Sequence, residues 1–275
     1  MRAAAEPPGP RALDASRRSR HYWDRLAAVY QEQTVISCRE IHYGPLVPGD
    51  SQLGLLPPDV GGWHCLELGC GAGQNSICLA RRGARCLGLD HSAAQLRAGA
   101  ALARQQRVSV AFVQADMEVL PLAPGPHFDL VHSAYALPFV AAPAACLHAL
   151  AARLRPGGLL LLSTAHPLWA GEWLQVDQDE GLFLTNYFEP PAERRTRGAA
   201  EAVSQAYPIS TVFAWLTAAG LVVEDLREPA ALPTQGLSPA QLRARVPYWS
   251  PAWLRHAAQL ARVPIVAVFK ARKPA

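Results

Sequence analysis

Leu66-Glu67-Leu68-Gly69-Cys70-Gly71-Ala72-Gly73 decides how this chain folds. An apolar strand enters the run, a carboxylate sits just before the first glycine, and three glycines alternate. A helical stretch follows from Gln74 to Arg82. Glycine lacks Cβ, so the backbone turns tightly and a ligand can lie directly on it. The helix behind the turn offers free N–H groups and the positive end of its dipole. The dinucleotide fingerprint Gly-x-Gly-x-x-Gly is not met, because Gln74 stands at the third glycine position. No Gly-Lys-Ser/Thr follows, so the turn is not a phosphate-binding P-loop either.

Outward from this turn, strand and helix patterns alternate, which implies a parallel sheet with helices on both faces. The expected strands are His64 to Leu68, Ala84 to Leu89, Val108 to Gln114, Phe128 to His132 and Leu159 to Thr164. Helices are expected at Ser92 to Gln106, Ala141 to Leu154 and Thr211 to Ala219, with later strands at Leu221 to Leu226 and Pro264 to Lys270. Ligands in open sheets of this kind lie beyond the carboxyl ends of the strands. Glu67, Asp90, Asp116 with Met117, and Ser133 with Ala134 all fall at such ends. Asp90 follows Glu67 by 23 positions, close to the spacing of a ribose-binding acid.

The alternating glycines with Val-Gln-Ala-Asp-Met-Glu (113–118), Phe-Asp-Leu-Val-His-Ser-Ala-Tyr (128–135) and Leu-Arg-Pro-Gly-Gly-Leu-Leu-Leu (154–161) resemble the motifs of class I S-adenosylmethionine-dependent methyltransferases of the small-molecule type. The resemblance covers most of residues 62–165 and extends less fully over 205–274. It implies an α/β fold, a Rossmann-like seven-stranded mostly parallel sheet whose last strand is antiparallel, under an N-terminal helical cap. It implies S-adenosylmethionine as cofactor, with S-adenosylhomocysteine as product. By that resemblance Gly69, Cys70, Gly71 and Gly73 hold the methionine part, Asp90 the ribose, and Asp116 with Met117 the adenine. Glu67, Asn75, His91 and Ser133 complete the expected cofactor set, and Tyr22 and Tyr30 of the cap are candidates to close on the cofactor carboxylate.

The domain plan expected is a disordered tail over 1–19, a helical cap over 20–61 and the cofactor-binding domain over 62–275, with insertions near 165–207 and 228–262. The first insertion carries His166, Trp169, Trp173, Phe183, Tyr187 and Phe188, aromatics of the kind that roof a pocket. His166 follows the fifth strand in Ser-Thr-Ala-His-Pro and is the leading general-base candidate. His42 and Tyr43 of the cap come next, ahead of Tyr135 and Glu172.

Half of the 275 residues are hydrophobic and 17% are charged, the balance of a globular protein. The net charge of +4 is mild, the Arg clusters at 17–20 and 194–197 read as solvated surface, and no nucleic-acid-binding signature accompanies them. No apolar run is long enough for a bilayer span, and no secretory signal is visible. The six cysteines lack metal-ligand spacing and read as buried thiols of a reducing, cytoplasmic compartment, with no metal site. The Ala- and Arg-rich composition points to a bacterial source. Together these imply methyl transfer to a small acceptor, such as a natural-product intermediate, at oxygen or nitrogen, with sulfur or carbon also open. The protein would act as a monomer or homodimer. A nucleotide-dependent oxidoreductase and a non-catalytic cofactor-binding protein are the alternatives.

Overall fold

The computed structural model of the chain describes residues 10–123 and 125–275, the side chains of 10–13 excepted. The elements in chain order are α1 (Pro10–Gln33), β1 (His64–Leu68), α2 (Gln74–Arg81), β2 (Arg85–Asp90), α3 (Ala93–Gln106), β3 (Val110–Gln114) and β4 (Phe128–Ala134). There follow α4 (Pro143–Ala151), β5 (Leu154–Ala165), β6 (Glu172–Val176), β7 (Asp179–Phe183), β8 (Glu193–Arg197) and β9 (Ala200–Ser204). The chain ends with α5 (Ile209–Ala218), β10 (Val222–Arg227), α6 (Pro239–Arg245) and β11 (Val266–Arg272), apart from a few one-turn helices and a two-residue ladder.

One sheet of seven strands in the order β10-β11-β5-β4-β1-β2-β3 forms the centre. Strands β1 to β5 run parallel, and β11 is antiparallel to both of its neighbours. The expected α/β architecture, strand number and antiparallel last strand are therefore present. Chain order reverses between β1 and β4, and that switch point opens the crevice where ligands bind.

Both faces of the sheet are covered, so its central strands are apolar on both sides. Cys65, Leu130, Leu159, Leu161, Val266 and Val268 point to one core, shared with α2, the segment 41–60 and the second insertion. Leu66, Leu68, Val131, Leu160, Leu162 and Phe269 point to the other, shared with α4 and α5. Each fully buried leucine contributes about 1.5–3 kcal/mol through loss of its contact with water.

Three expectations shift. Helix α1 begins at Pro10, so residues 10–19, expected as disordered, are helical; residues 1–9 lie outside the described residues. Proline at the first helical position and the Arg-Ala-Leu stretch behind it favour this start. Helix α4 ends at Ala151 because β5 already pairs from Leu154, and Arg155 to Gly158 bulge out between the Phe128↔Leu154 and Leu130↔Leu159 pairs. The first insertion folds into two antiparallel hairpins, β6–β7 and β8–β9. In the second, Tyr248 and Trp249 pair with Ile36 and Val35, tying the chain's end to its start.

Candidate active site

The glycine turn is built for close approach. Gly69, Gly71 and Gly73 all have positive φ, of 59°, 54° and 66°. A side chain at Gly69 would strike Ala136 and Met117, and one at Gly73 would meet the Phe112 ring at 2.6 Å. At Gly71 the nearest atom to such a Cβ is Gln95 Oε1 at 4.0 Å, so this backbone faces open cavity. The turn is a cradle with one bare side, which suits a ligand lying on it.

Asp90 holds the cradle in shape. One carboxylate oxygen accepts the Gly71 N–H and the other the Ser92 N–H, both at 2.8 Å. Each oxygen keeps capacity for a ligand hydroxyl. Burial raises its pKa, opposed by His91 and by the two N–H donors. Glu67, one strand over, accepts from the Ser76 N–H at 2.9 Å and the Ser76 hydroxyl at 2.5 Å, capping the first turn of α2. Burial pushes its pKa up to about 7. Asp116 accepts the Glu118 N–H at 2.9 Å and the Ser16 hydroxyl of α1.

Helix α1 touches each part of the site in turn. Ser16 meets Asp116, and Asp24 accepts from Ser92 Oγ at 2.7 Å and from the Ala94 N–H at 3.1 Å. Gln31 joins Gln95 and Gln74, at 2.8 and 3.1 Å. The Tyr30 hydroxyl lies 2.6 Å from that of Tyr248, and burial raises both phenol pKa values. Beyond α1, Asn75 locks the following segment onto α2: its Oδ1 accepts the His42 N–H and its Nδ2 donates to the His42 carbonyl, both at 3.0 Å. The His42 ring stands edge-on to Tyr248 at 5.3 Å. Its Nδ1 is sealed and has no hydrogen-bond partner among the described residues, and burial lowers its pKa to about 4.

These parts enclose a cavity of about 520 Å³. Of the residues expected to serve the cofactor, Tyr30, Glu67, Gly69, Cys70, Gly71, Asp90, His91, Asp116 and Met117 line it, and so does His42. Gly73 and Asn75 sit behind the wall, the one against Phe112 and the other against His42. Ser133 turns its hydroxyl to the Leu68 carbonyl at 3.1 Å, and Tyr22 packs with Ala200 and Ala202 under the β8–β9 hairpin.

Three base candidates lie outside the cavity, one of them Glu172, exposed at the start of β6. His166 has both ring nitrogens engaged: Nε2 donates to Glu228 at 2.7 Å and Nδ1 accepts the Leu168 N–H at 3.2 Å. It sits at the end of β5, one strand beyond the switch point, where it closes a turn. Tyr43 is buried, with its hydroxyl donating to Asp50 at 2.6 Å. The expected roof aromatics of the first insertion are also placed elsewhere. Trp23, Phe139, Tyr135, Tyr248 and Trp253 supply the aromatic surface, while the insertion contributes Arg195, Gln205 and Tyr207. Tyr135 adopts φ 63°, a conformation that costs a bulky residue about 1–3 kcal/mol and that clusters at functional sites. The sequence offers Tyr135 only as a minor base candidate; its strained backbone is visible in the structure alone.

The fit to the expected cofactor rests on the open face at Gly71, the spare acceptors of Asp90 and the cavity passing Asp116 and Met117. Residues 66–162 match the family described as a methyltransferase domain. With the sheet around them, they give this chain the fold and the cofactor class of the class I, Rossmann-like, S-adenosylmethionine-dependent methyltransferases. Among known proteins, the chain is similar to a ubiquinone biosynthesis O-methyltransferase of Alkalilimnicola ehrlichii, 38% identical over 38% of this chain and 42% of the relative. It is also similar to a trans-aconitate 2-methyltransferase of Methylobacterium nodulans, 35% identical over 59% of this chain and 58% of the relative. The matches thus span about half the length of these curated relatives. The crystal structure of an S-adenosylmethionine-dependent methyltransferase from Mesorhizobium loti superposes with a TM-score of 0.63 at 25% identity, covering 81% of this chain and 96% of that one. Among the described residues no helix is long and apolar enough to cross a membrane, and no cluster of metal-ligating side chains occurs.

Proposed function

We propose that this protein transfers the methyl group of S-adenosylmethionine to a small-molecule acceptor, at an oxygen or nitrogen atom. The observation that carries this reading is the continuity of one cavity. It runs from Asp116, Asp90 and the glycine turn to an aromatic end bounded by Tyr30, His42, Tyr135 and Tyr248. Of the two curated relatives, both named for small-molecule methylation, the O-methyltransferase supports an oxygen acceptor.

The bound cofactor supplies a methyl group already activated on a sulfonium, so the protein's task is alignment and exclusion of water. The Asp90 carboxylate fixes the glycine turn at one end of the cavity by accepting the Gly71 and Ser92 N–H groups. Helix α1 closes over it through Ser16, Asp24 and Gln31. Proximity of this kind supplies about 7–11 kcal/mol of barrier reduction in well-aligned systems. His42 is the candidate to orient the acceptor: it lines the cavity, and its lowered pKa keeps the imidazole neutral, a hydrogen-bond acceptor but a weak base at neutral pH. His166 holds the turn after β5 instead, through its bonds to Glu228 and Leu168.

The test is calorimetric binding of S-adenosylhomocysteine beside NADH, repeated with Asp90→Ala. Binding of the first ligand alone, lost in the variant, is expected. Preference for NADH, or no binding of either, would overturn the reading.

A further inference from the structure

Arg195 occupies a position that the transfer reaction by itself does not require. It projects from β8, and its guanidinium lies over the Phe139 ring at 5.6 Å. Phe139 in turn packs edge-on against Trp23 of α1 at 5.3 Å. Arg195 borders the main cavity and also a second chamber of about 200 Å³, and the two share Tyr135, Pro138 and Phe139 besides. It therefore stands at the neck between two spaces. Apart from Glu193, the remaining walls of the second chamber are apolar or small, Trp169, Ala170 and Pro191 among them.

Among the described residues the charge partner of Arg195 is Glu193, two residues back on the same strand, at 2.6 Å. That carboxylate reaches in from the rim and its side chain is 49% exposed, against 27% for Arg195. A half-exposed pair of this kind contributes about 0–1 kcal/mol and is readily exchanged. The guanidinium has five N–H donors, and among the described residues only Nη2 is committed, to Glu193. Its positive field also reaches the cavity's phenols, lowering Tyr30, Tyr135 and Tyr248 against the effect of their burial. The acids of the main cavity have partners of their own: Glu67, Asp90 and Asp116 at the strand ends, Glu118 accepting the Ala142 N–H at 2.6 Å, and Glu201 paired with Arg194 at 2.7 Å. A stacked cation among aromatic walls, with spare donors and a replaceable partner, is a binding post for a planar oxyanion.

We propose that the methyl acceptor is an aromatic carboxylate whose carboxylate is held by Arg195 at this neck, with its ring against Tyr135 and Phe139. This rests on the methyltransferase reading above and names its substrate class. A neutral acceptor would leave the free donors of a half-buried guanidinium unmet, and a cationic one would be repelled.

The test uses the full chain saturated with S-adenosylhomocysteine and matched probes: 4-hydroxybenzoate against phenol, and 3,4-dihydroxycinnamate against catechol. Affinities are read by calorimetry. The acids are expected to bind at least tenfold more tightly than their neutral partners. Arg195→Met keeps the apolar stem on Phe139 and removes the charge. It is expected to weaken the acids about 10- to 100-fold, the range of a hydrogen bond to a charged group. Phenol, catechol and S-adenosylhomocysteine should change less than twofold. Glu193→Gln frees the guanidinium and is expected to tighten the acids. Equal binding of acids and neutral probes, no effect of Arg195→Met, or no binding of any aromatic acid would overturn the assignment. Failure of S-adenosylhomocysteine to bind at the outset would instead overturn the methyltransferase reading beneath it.

Discussion

Replacing Asn75 by alanine tests the joint between the glycine-turn helix and the cap. The Asn75 side chain is 1% exposed and makes two hydrogen bonds, both to the His42 backbone and both 3.0 Å long. Its removal leaves a buried N–H and a buried carbonyl without partners. Each such group costs about 1–3 kcal/mol, so the full penalty is roughly 2–6 kcal/mol. The smaller alanine leaves room for a water to recover part of this, which places the expected loss near the lower half of that range. Urea denaturation measures it directly. Amide hydrogen exchange locates it: the His42 N–H should exchange at least about tenfold faster, because a 1.4 kcal/mol loss of local protection is tenfold in rate. S-adenosylhomocysteine affinity should fall no more than threefold, since Asn75 does not line the cavity. Asn75→Asp is the sharper variant. It keeps an acceptor for the His42 N–H but sets a second acceptor against the His42 carbonyl, so it should be at least as damaging despite its near-identical shape. A stability change within 0.5 kcal/mol for the alanine variant, or unchanged exchange at His42, would refute the reasoning.

Three further perturbations follow from the same geometry. Glu67 has its pKa raised to about 7 in the fold, so the folded state holds its proton more tightly than the unfolded chain; its stabilising effect is full below the unfolded pKa of 4.5 and is lost as pH rises through about 7. Ligand-free protein should therefore lose on the order of 3 kcal/mol between pH 5 and pH 8.5 from this group, and Glu67→Gln should flatten that slope in urea titrations. Gly73→Ala forces a side chain at φ 66° into Phe112, with a carbon at 2.6 Å. The left-handed backbone alone costs about 1–2 kcal/mol, so a lowered melting temperature and at least tenfold weaker S-adenosylhomocysteine binding by calorimetry are expected. His166→Ala removes a buried staple to Glu228 and Leu168. It should lower the melting temperature while leaving S-adenosylhomocysteine affinity within twofold, whereas a loss of methyl transfer at unchanged stability would restore His166 as the base.

The cofactor half of the site was legible in the sequence because its parts are local. A strand, a glycine turn and a helix follow one another within residues 64–81, and the acids fall at strand ends that hydrophobic patterning marks. Asp90, the last residue of β2, bonds the Gly71 N–H, 19 positions away, a contact the sequence did not show. The acceptor half is assembled from positions remote along the chain. Tyr30 and Tyr248 meet across 218 positions, joined by a two-residue ladder too short to leave a periodic trace. Tyr248 and Arg195 therefore escaped notice, one hidden in an insertion and the other read as solvated surface. His166 was misplaced for a related reason. Its position at the carboxyl end of β5 resembles that of the cavity-lining residues Asp90 and Asp116 at their strand ends, but the strand order puts β4 between it and the switch point. Only the partner at its Nε2, 62 positions on, shows that its proton is already committed.

The same separation gives the site its division of labour. The groups proposed to hold the cofactor are fixed by the sheet, whose strand spacing leaves little freedom. The groups that face the acceptor hang on three contacts outside it: Asn75 to His42, Tyr30 to Tyr248, and Arg195 on Phe139. Each joins an insertion or the cap either to the sheet's own helices and loops or to the other, and none touches the glycine turn directly. Substitutions at the aromatic end should therefore move acceptor preference with cofactor affinity nearly constant, as expected for a fold in which function resides in grafted sites. Arg195→Met and Asn75→Ala probe this from opposite sides of the cavity. If either shifts S-adenosylhomocysteine binding as strongly as acceptor binding, the two halves are coupled through α1, whose Ser16 reaches Asp116 while its Tyr30 meets Tyr248.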